Sequence, residues 1–310
     1  MPTKVEWVQR PGTIAESWNP IQDVIKGPSG RGYHCTKCSP GCEHCWAESM
    51  NKRFGNRLPF DDRPVEFELM QDVLEKPLHW RKPRTVAVQL MGDFMHRAIS
   101  SAFQFQVLHM IGQCPKHTFL ILTKRAEQLA FWEEVCGWTP YPNLWLGVTV
   151  CNQEEADEKI PRLLQIPAAV HFVSIEPMLG PIRLTALGDG SWYDREGADQ
   201  YDALCGLAYW GTDGDVGLGG GPHLDWVILG GESGPKARPM HPDWVRQIQI
   251  ECHLAHVPFF FKAWGEWKPE DRGGGFGNIH MWDDGSFSYK SGKKNAGHLL
   301  DGKEYHKWPA

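Results

Sequence analysis

Short apolar runs recur along the chain between segments whose apolar residues repeat every three to four positions. The runs are rich in β-branched and aromatic side chains, and they predict buried strands at 85–90, 118–122, 144–150, 170–175, 226–229 and 258–262, with an earlier strand at 17–22. Helical periodicity predicts helices at 46–54, 102–114, 126–136, 153–164 and 242–255. Strand and helix therefore alternate in six or seven βα units, which is typical of an α/β fold with a parallel sheet.

Two regions interrupt this alternation. Residues 188–222 are rich in Gly, Asp and Tyr and lack apolar periodicity, so they are expected to form a long insertion between two strands. Residues 265–310 are polar and Gly-rich, with tryptophans interspersed, and they predict a C-terminal cap with little regular helix. The expected organisation is a βα domain over residues 1–264, followed by this cap over residues 265–310.

Composition limits the class of protein. The formal net charge of −6 and the pI near 6.2 argue against a protein that grips duplex nucleic acid through a broad basic surface. The chain contains nine cysteines, an odd number, and its first ten residues are not those of a secretion signal. No run of apolar residues is long enough to cross a membrane. We therefore expect a cytoplasmic protein without a membrane partner.

Four cysteines fall within eleven residues, at Cys35, Cys38, Cys42 and Cys45. Thiolates held this closely predict a soft metal ion or an iron–sulfur cluster. Structural zinc normally separates its two cysteine pairs by roughly 12 to 20 residues, whereas three residues separate them here. A closed electron-transfer cluster typically uses a different order of spacings. Zinc, a closed cluster and a loop without metal remain alternatives to an open [4Fe-4S] site.

Polar residues follow most of the predicted strands. Because active sites of parallel α/β folds lie at the carboxyl ends of the strands, these positions are candidate ligand contacts. They are Gly92, Asp93, Lys124, Asn152, Glu176, Gly230, Gly231 and Glu232.

The spacing of Cys38, Cys42 and Cys45, C-x3-C-x2-C, resembles that of the radical S-adenosylmethionine (radical SAM) enzymes. This resemblance implies a partial (β/α) TIM-like barrel in which three thiolates bind a [4Fe-4S] cluster and the fourth iron binds SAM. It also implies reductive cleavage of SAM, hydrogen abstraction from a substrate, and an electron donor such as flavodoxin or ferredoxin. Gly92 and Asp93 would hold the SAM amino group, while Lys124 would face SAM or an anionic substrate. The remaining candidates, Asn152, Glu176 and Gly230 to Glu232, would contact ribose and adenine.

The chain also resembles a phage-associated protein family through the stretches SPGCEHCWAE, SIEPMLGPI, GGESGPKARPMHPDWVR and PFFFKAWGEW. Members of that family often carry C-x6-C-x2-C, which corresponds to Cys35, Cys42 and Cys45. Cys35 and Cys38 are therefore rival candidates for the third cluster ligand. The association with phages suggests a nucleobase or nucleotide substrate, in the modification or repair of nucleic acid. The alternative function is a zinc- or cluster-stabilised barrel that binds nucleic acid or protein without catalysis.

Overall fold

The computed structural model describes residues 2–27, 30–130, 141–188, 193, 198–210, 215–216, 219–270 and 278–310. Their strands are β1 (Ile14–Trp18), β2 (Ile21–Gly27), β3 (Gly30–Gly32), β4 (Phe67–Leu69), β5 (Arg84–Val88), β6 (Thr118–Thr123), β7 (Leu144–Thr149), β8 (Val170–Ile175), β9 (Leu187–Gly188), β10 (Gln200–Asp202), β11 (Leu207–Trp210), β12 (Asp215–Val216), β13 (Trp226–Gly230), β14 (Phe259–Ala263), β15 (Trp267–Glu270), β16 (Ile279–Met281) and β17 (Phe287–Lys290). Their helices are α1 (Trp46–Phe54), α2 (Gln71–Leu74), α3 (Ser101–Gly112), α4 (Gln153–Leu164), α5 (Pro242–Leu254) and α6 (Lys293–Ala296).

The main sheet contains seven strands in the order β1-β5-β6-β7-β8-β13-β14, so neighbours in the sheet follow one another along the chain. Its strands pair in parallel, with Thr85 opposite Thr118 and Val227 opposite Phe259. Every residue of β7 is buried, as expected for a parallel strand covered on both faces. The predicted α/β class with a parallel sheet is confirmed.

Six of the predicted strands differ from the observed ones by at most two residues at either end. The seventh prediction, at 17–22, is wrong, because the chain changes sheets inside it. Asn19 and Pro20 separate β1, which joins the main sheet, from β2, which pairs in antiparallel fashion with β3 and β4. Proline cannot donate a backbone hydrogen bond, so the strand is interrupted at this point.

Side-chain caps account for the starts of three helices. The hydroxyl of Ser100 accepts from Phe103 N, the amide oxygen of Asn152 accepts from Glu155 N, and His241 Nδ1 accepts from Asp243 N. The helix predicted at 126–136 begins as a 3-10 turn at Ala126–Gln128 and is α-helical at Leu129 and Ala130, while residues 131–140 lie outside the described residues.

Two compact units divide the chain. The first contains Met1–Val148 and Ile166–His171, and the second contains Thr149–Gln165 and Phe172–Ala310. The first unit holds the three-stranded sheet β3-β2-β4 beside its share of the main sheet. The cap expected at 265–310 falls inside the second unit, and the domain limits proposed from the sequence stay a prediction.

Both irregular regions of the sequence form a small antiparallel sheet in the second unit. The insertion contains a four-stranded antiparallel sheet in the order β12-β11-β10-β9. Within it the Tyr201 side chain is buried, and its hydroxyl donates to the carbonyl of Pro222 at 2.7 Å. The C-terminal region contains the antiparallel sheet β15-β17-β16 and, among its described residues, only the four-residue helix α6.

The helices of the described residues are short or amphipathic. None combines the length and the apolar character needed to cross a bilayer.

Candidate metal centre

The four clustered cysteines lie in the segment that joins β3 to α1, which we call the cysteine loop (residues 33–45). Ser39 and Pro40 shape its centre: Ser39 Oγ accepts from Gly41 N at 3.2 Å and caps a short 3-10 helix that begins at Pro40. All four thiols are free; Cys42 is buried, Cys38 is exposed, and Cys35 and Cys45 are half-buried.

The thiols of Cys38 and Cys42 are hydrogen-bonded to each other. The hydrogen bond from Cys38 lowers the pKa of Cys42 to about 5, and the same contact raises the pKa of Cys38. The positive charge of Lys124 lowers the pKa of Cys42 further. Burial, and then the charge of Asp93, raise the pKa of Cys35 to about 12. The lowered pKa of Cys42 favours its thiolate, the form of cysteine that binds metals.

Arg125 anchors the cysteine loop through hydrogen bonds to Thr36 and Cys38. Its guanidinium donates to the carbonyl and hydroxyl oxygens of Thr36 at 2.7 and 2.6 Å, and to Cys38 Sγ at 3.1 Å. Burial opposes the charge on Arg125, but Asp93 and the neighbouring cysteines outweigh it and raise the pKa of this buried guanidinium. Arg125 therefore keeps its positive charge beside the Cys38 thiol.

Asp93 is the counter-ion of Arg125. Its carboxylate accepts from Arg125 at 3.3 Å, from the Thr123 hydroxyl at 2.7 Å and from the backbone N–H groups of Met95 and Lys124 at 3.0 and 3.1 Å. β5 and β6 are parallel neighbours, so the turns that follow them meet at one edge of the sheet. Four donors occupy the carboxylate, and a bound ammonium group would have to replace one of them. The predicted contact of Asp93 with SAM stays a prediction.

Gly92 lies against the start of the cysteine loop. A Cβ at Gly92 would meet the carbonyl oxygen of His34 at 3.1 Å, a distance tighter than ordinary packing. The missing side chain thus lets the β5 turn approach the loop closely. This packing accounts for glycine at the position, and the predicted contact of Gly92 with SAM stays a prediction.

Two buried histidines lie near each other at this site: His34 in the cysteine loop and His96 after β5. The rings of His34 and His96 are 6.0 Å apart, and neither nitrogen of His34 has a hydrogen-bond partner among the described atoms. His96 Nδ1 accepts from Ala98 N, so Nε2 carries the proton and donates to the Thr36 hydroxyl at 3.3 Å. Burial, reinforced by Arg125, lowers the pKa of His96 to about 4. His96 is therefore a neutral donor that holds Thr36 together with Arg125.

The second unit holds the other predicted contacts. Glu176 follows β8, where its carboxylate lies 2.9 Å from the Lys262 ammonium and accepts from the Ser174 hydroxyl. A Cβ at Gly230 would meet Glu176 Oε1 at 2.7 Å, so this glycine makes room for the carboxylate. The side chain of Asn152 caps α4, as described above. These roles leave the predicted cofactor contacts of the three residues untested.

Gly231 and Glu232 form the turn after β13. Glu232 pairs with Arg238 through both carboxylate oxygens, at 2.6 and 2.9 Å. A Cβ at Gly231 would stand 2.1 Å from the carbonyl oxygen of Trp264. The turn is thus held by an ion pair and a close backbone contact. Its proposed place near adenine stays a prediction.

Comparison with known proteins gives a family for the whole chain. The family model described as "Protein of unknown function (DUF5131)" matches residues 3–309. The chain belongs to this family. No curated protein and no solved structure matches it. The family description names no activity, so the function of this DUF5131 chain has to be inferred from its side chains.

The donor set of this DUF5131 protein consists of cysteine thiols, which zinc and iron–sulfur clusters both take as ligands. Zinc–sulfur bonds of about 2.3 Å in a tetrahedron place the sulfurs about 3.8 Å apart. Among the described residues, no three cysteine sulfurs lie within 4.8 Å of one another. In a cluster each iron carries its own thiolate, so the sulfurs are spread more widely. Which group these thiols hold is therefore left to the proposal below.

One group of three metal-ligating side chains does come that close in the described part of the chain: His241, Asp243 and Asp284. His241 Nδ1 accepts from Asp243 N, so the proton of the neutral ring is on Nε2, which points to Asp284 at 3.2 Å. Nε2 therefore has no lone pair for a metal. We assign this group to the capping of α5.

Sequence reasoning identified the cysteines and the polar strand ends of the DUF5131 chain but missed Thr36 and His34. Thr36 carries the contacts that anchor the loop, and its position between Cys35 and Cys38 was the available signal. No local pattern shows that Arg125 reaches Thr36, 89 positions away.

Proposed function

We propose that this protein is a radical SAM enzyme whose cysteine loop holds a [4Fe-4S] cluster. When bound, the cluster would pass one electron to SAM, whose cleavage starts hydrogen abstraction from the substrate. The observation that carries the proposal is the set of four free thiols on one loop, which the buried Arg125–Asp93 pair anchors through Thr36 and Cys38. The chain's own contribution is to hold the loop in place with Thr36, Arg125 and His96.

The contacts favour Cys38 over Cys35 as the third ligand, beside Cys42 and Cys45. Cys38 Sγ is in contact with Cys42 and receives a hydrogen bond from Arg125. Cys35 instead donates weakly to the carbonyl of its neighbour Thr36, at 3.5 Å. The proposed ligands are thus Cys38, Cys42 and Cys45, which restores the C-x3-C-x2-C spacing.

The fold is compatible with the proposal. Each strand of the main sheet lies beside the preceding one of the sheet, as in (β/α) barrels. We propose that the seven strands form a partial TIM-like barrel. The free cysteines of the described residues fit a reducing compartment, so we place the protein in the cytoplasm.

SAM would be recognised by partly exposed groups at the strand ends. Lys124 lies close enough to Cys42 for its positive charge to lower the pKa of that thiol, which supports a place near the proposed cluster. Glu176 and Lys262 keep part of their side chains exposed and offer one charge of each sign. The contacts proposed for Asn152, Gly230, Gly231 and Glu232 with ribose and adenine rest on the family resemblance. The substrate class, a nucleobase or nucleotide, rests on the family resemblance alone.

Formation of 5′-deoxyadenosine tests the proposal. The protein would be purified without oxygen, reconstituted with iron and sulfide, and incubated with SAM and dithionite. We expect product from the wild type and from Cys205→Ala, which removes an exposed thiol outside the loop. Product should be lost in Cys42→Ala, Cys45→Ala and Cys38→Ala but retained in Cys35→Ala. Bound zinc without iron, and no product, would contradict the proposal.

A further inference from the structure

Strand β16 lies at an edge of the small sheet β15-β17-β16 in the second unit. Its first and last residues are large, apolar and open to solvent: Ile279 is 54% exposed and Met281 is 72% exposed. Because side chains alternate between the two faces of a strand, His280 lies on the other face. There its ring packs against Trp282, with the ring centres 4.3 Å apart. The strand therefore presents apolar side chains to solvent on one face only.

The exposed apolar face continues onto the neighbouring strand, β17. Ile279 lies opposite Tyr289, and Met281 lies opposite Phe287. Residues directly opposite each other in an antiparallel pair have side chains on the same face. Tyr289 and Phe287 are half-buried. We call these four side chains the β16 patch. Contiguous apolar surface of this kind commonly marks an interaction site.

The backbone of β16 is also open at this edge. Two backbone hydrogen bonds flank the strand on the side of β17, each 2.9 Å long: Lys290 N to the carbonyl of Asn278, and Trp282 N to the carbonyl of Ser286. Bonded and non-bonded pairs alternate along antiparallel strands, so the N–H and C=O groups of Ile279 and Met281 point away from β17. Among the described residues, no strand pairs with β16 on that outer side.

The outer strands of the main sheet differ from β16 in this respect. Beside β1, Thr3 N donates to the carbonyl of Ala15 at 3.2 Å, and beside β14, Phe261 N donates to the carbonyl of Tyr305 at 2.7 Å. The two ends of the chain therefore cover both outer strands of that sheet. In the part of the chain that the structure describes, β16 has no such cover, and an exposed apolar edge is a template for another strand.

We propose that β16 pairs with β16 of a second copy of this chain, in antiparallel fashion about a twofold axis at His280. Ile279 of each copy then lies opposite Met281 of the other, and each such pair exchanges two backbone hydrogen bonds. This register satisfies all four outward backbone groups of both copies. It also joins the two β16 patches on one face of a continuous six-stranded sheet, in a symmetric interface.

The sequence around the axis favours a second copy over a foreign strand. Trp282 falls opposite Asn278, and residues 278–282 contain no carboxylate, lysine or arginine. The exposed acids Asp283 and Asp284 lie outside the paired segment, so the register brings no like charges opposite each other. In a second copy the incoming strand is already ordered by β17, whereas a flexible peptide would lose backbone entropy on pairing.

Sedimentation velocity of the full chain, over about 1–200 µM, tests the proposal, because a small interface is expected to dissociate in the micromolar range. We expect a monomer–dimer equilibrium in the wild type. The double variant Ile279→Lys/Met281→Lys sets lysine opposite lysine and should weaken association by about tenfold or more. The matched control is Leu254→Lys, which should associate like the wild type, since Leu254 is 73% exposed and lies outside the β16 patch.

Charge exchange separates direct pairing from a folding defect. Ile279→Glu/Met281→Glu should also be monomeric, but mixing it with Ile279→Lys/Met281→Lys should restore a dimer, because glutamate then faces lysine at every position. Added salt should weaken this mixed dimer and not the wild-type dimer. Thermal midpoints equal to that of the wild type show that both variants fold. A wild type that stays monomeric, a dimer that the lysine variant leaves unchanged, or folded variants that stay monomeric when mixed would overturn the proposal.

Discussion

At the scale of single residues, the candidate site depends on one buried ion pair. Arg125 connects Asp93 with the cysteine loop, and both side chains are almost completely shielded from water. A charge buried in this way is tolerated because it is paired and hydrogen-bonded. Removing one partner leaves the other without its counter-charge, so the pair holds the loop only while both residues are present.

We predict that Arg125→Ala lowers the free energy of unfolding by about 3–5 kcal/mol, since Asp93 would stay buried without its counter-ion. Urea titration measures this change. The control is the exposed Arg81→Ala, which should change stability by less than about 0.5 kcal/mol. Similar stability of the two variants would show that the ion pair does not hold the loop.

Three buried histidines predict how stability depends on pH. Burial lowers the pKa of His34, His96 and His117 below the ordinary value of 6.5, to about 4 for His96. Below pH 6.5 the unfolded chain binds protons that the folded chain excludes, so stability falls as the pH falls towards the folded pKa. Each histidine contributes up to about 1.4 kcal/mol per pH unit.

Urea titrations between pH 7.5 and pH 5 test this dependence. His117→Phe should reduce the slope, because it removes one titrating ring, whereas the exposed His79→Gln should leave it unchanged. An identical slope in His117→Phe and the wild type would mean that the lowered pKa of His117 does not contribute to the pH dependence of stability.

At the scale of elements, hydrophobic runs and capping residues predicted the strands and helix starts that depend on nearby residues alone. β7 is an uninterrupted buried run and α4 begins at an Asn cap, so both were predicted closely from the sequence. The switch of sheets at Pro20 and the small sheet of the insertion were missed, because strand pairing there depends on distant partners. The cysteine spacing identified the loop, but its anchor at Arg125 is a tertiary contact that no spacing encodes.

The turn after β13 gives an element-scale prediction. Gly231→Ala would place a methyl group 2.1 Å from the Trp264 carbonyl oxygen, so the backbone must shift. We expect a loss of about 1–3 kcal/mol in the free energy of unfolding. Gly180→Ala is the matched control, because its Cβ would meet Asn152 at an ordinary 3.6 Å. Equal stability of the two variants would show that the turn is not closely packed.

At the scale of the whole molecule, the DUF5131 family model spans both units, and its match continues to residue 309. The last residues are part of the second unit's packing. Trp226 donates its indole N–H to the carbonyl of Lys307 at 2.8 Å, and the His306 ring stacks on Phe260 at 4.4 Å. The end of the chain therefore covers strands of the main sheet.

Deletion of residues 298–310 is predicted to lower the thermal midpoint of unfolding, because it exposes Phe260 and leaves the Trp226 indole without its acceptor. Differential scanning calorimetry measures the change. The control is Lys307→Ala, which keeps the backbone carbonyl and should behave like the wild type. An unchanged midpoint after the deletion would mean that the segment contributes no stabilising contacts.

The proposed function requires that the cysteine loop hold a cluster with one iron open to SAM. Electron paramagnetic resonance of the anaerobically reconstituted and reduced protein, recorded with and without SAM, tests it most directly. If the proposed function is correct, we expect a [4Fe-4S] signal that SAM shifts. The signal should be lost in Cys45→Ala and should persist in Cys205→Ala. A reduced cluster whose signal SAM does not change, or a protein that binds no iron, would contradict the account.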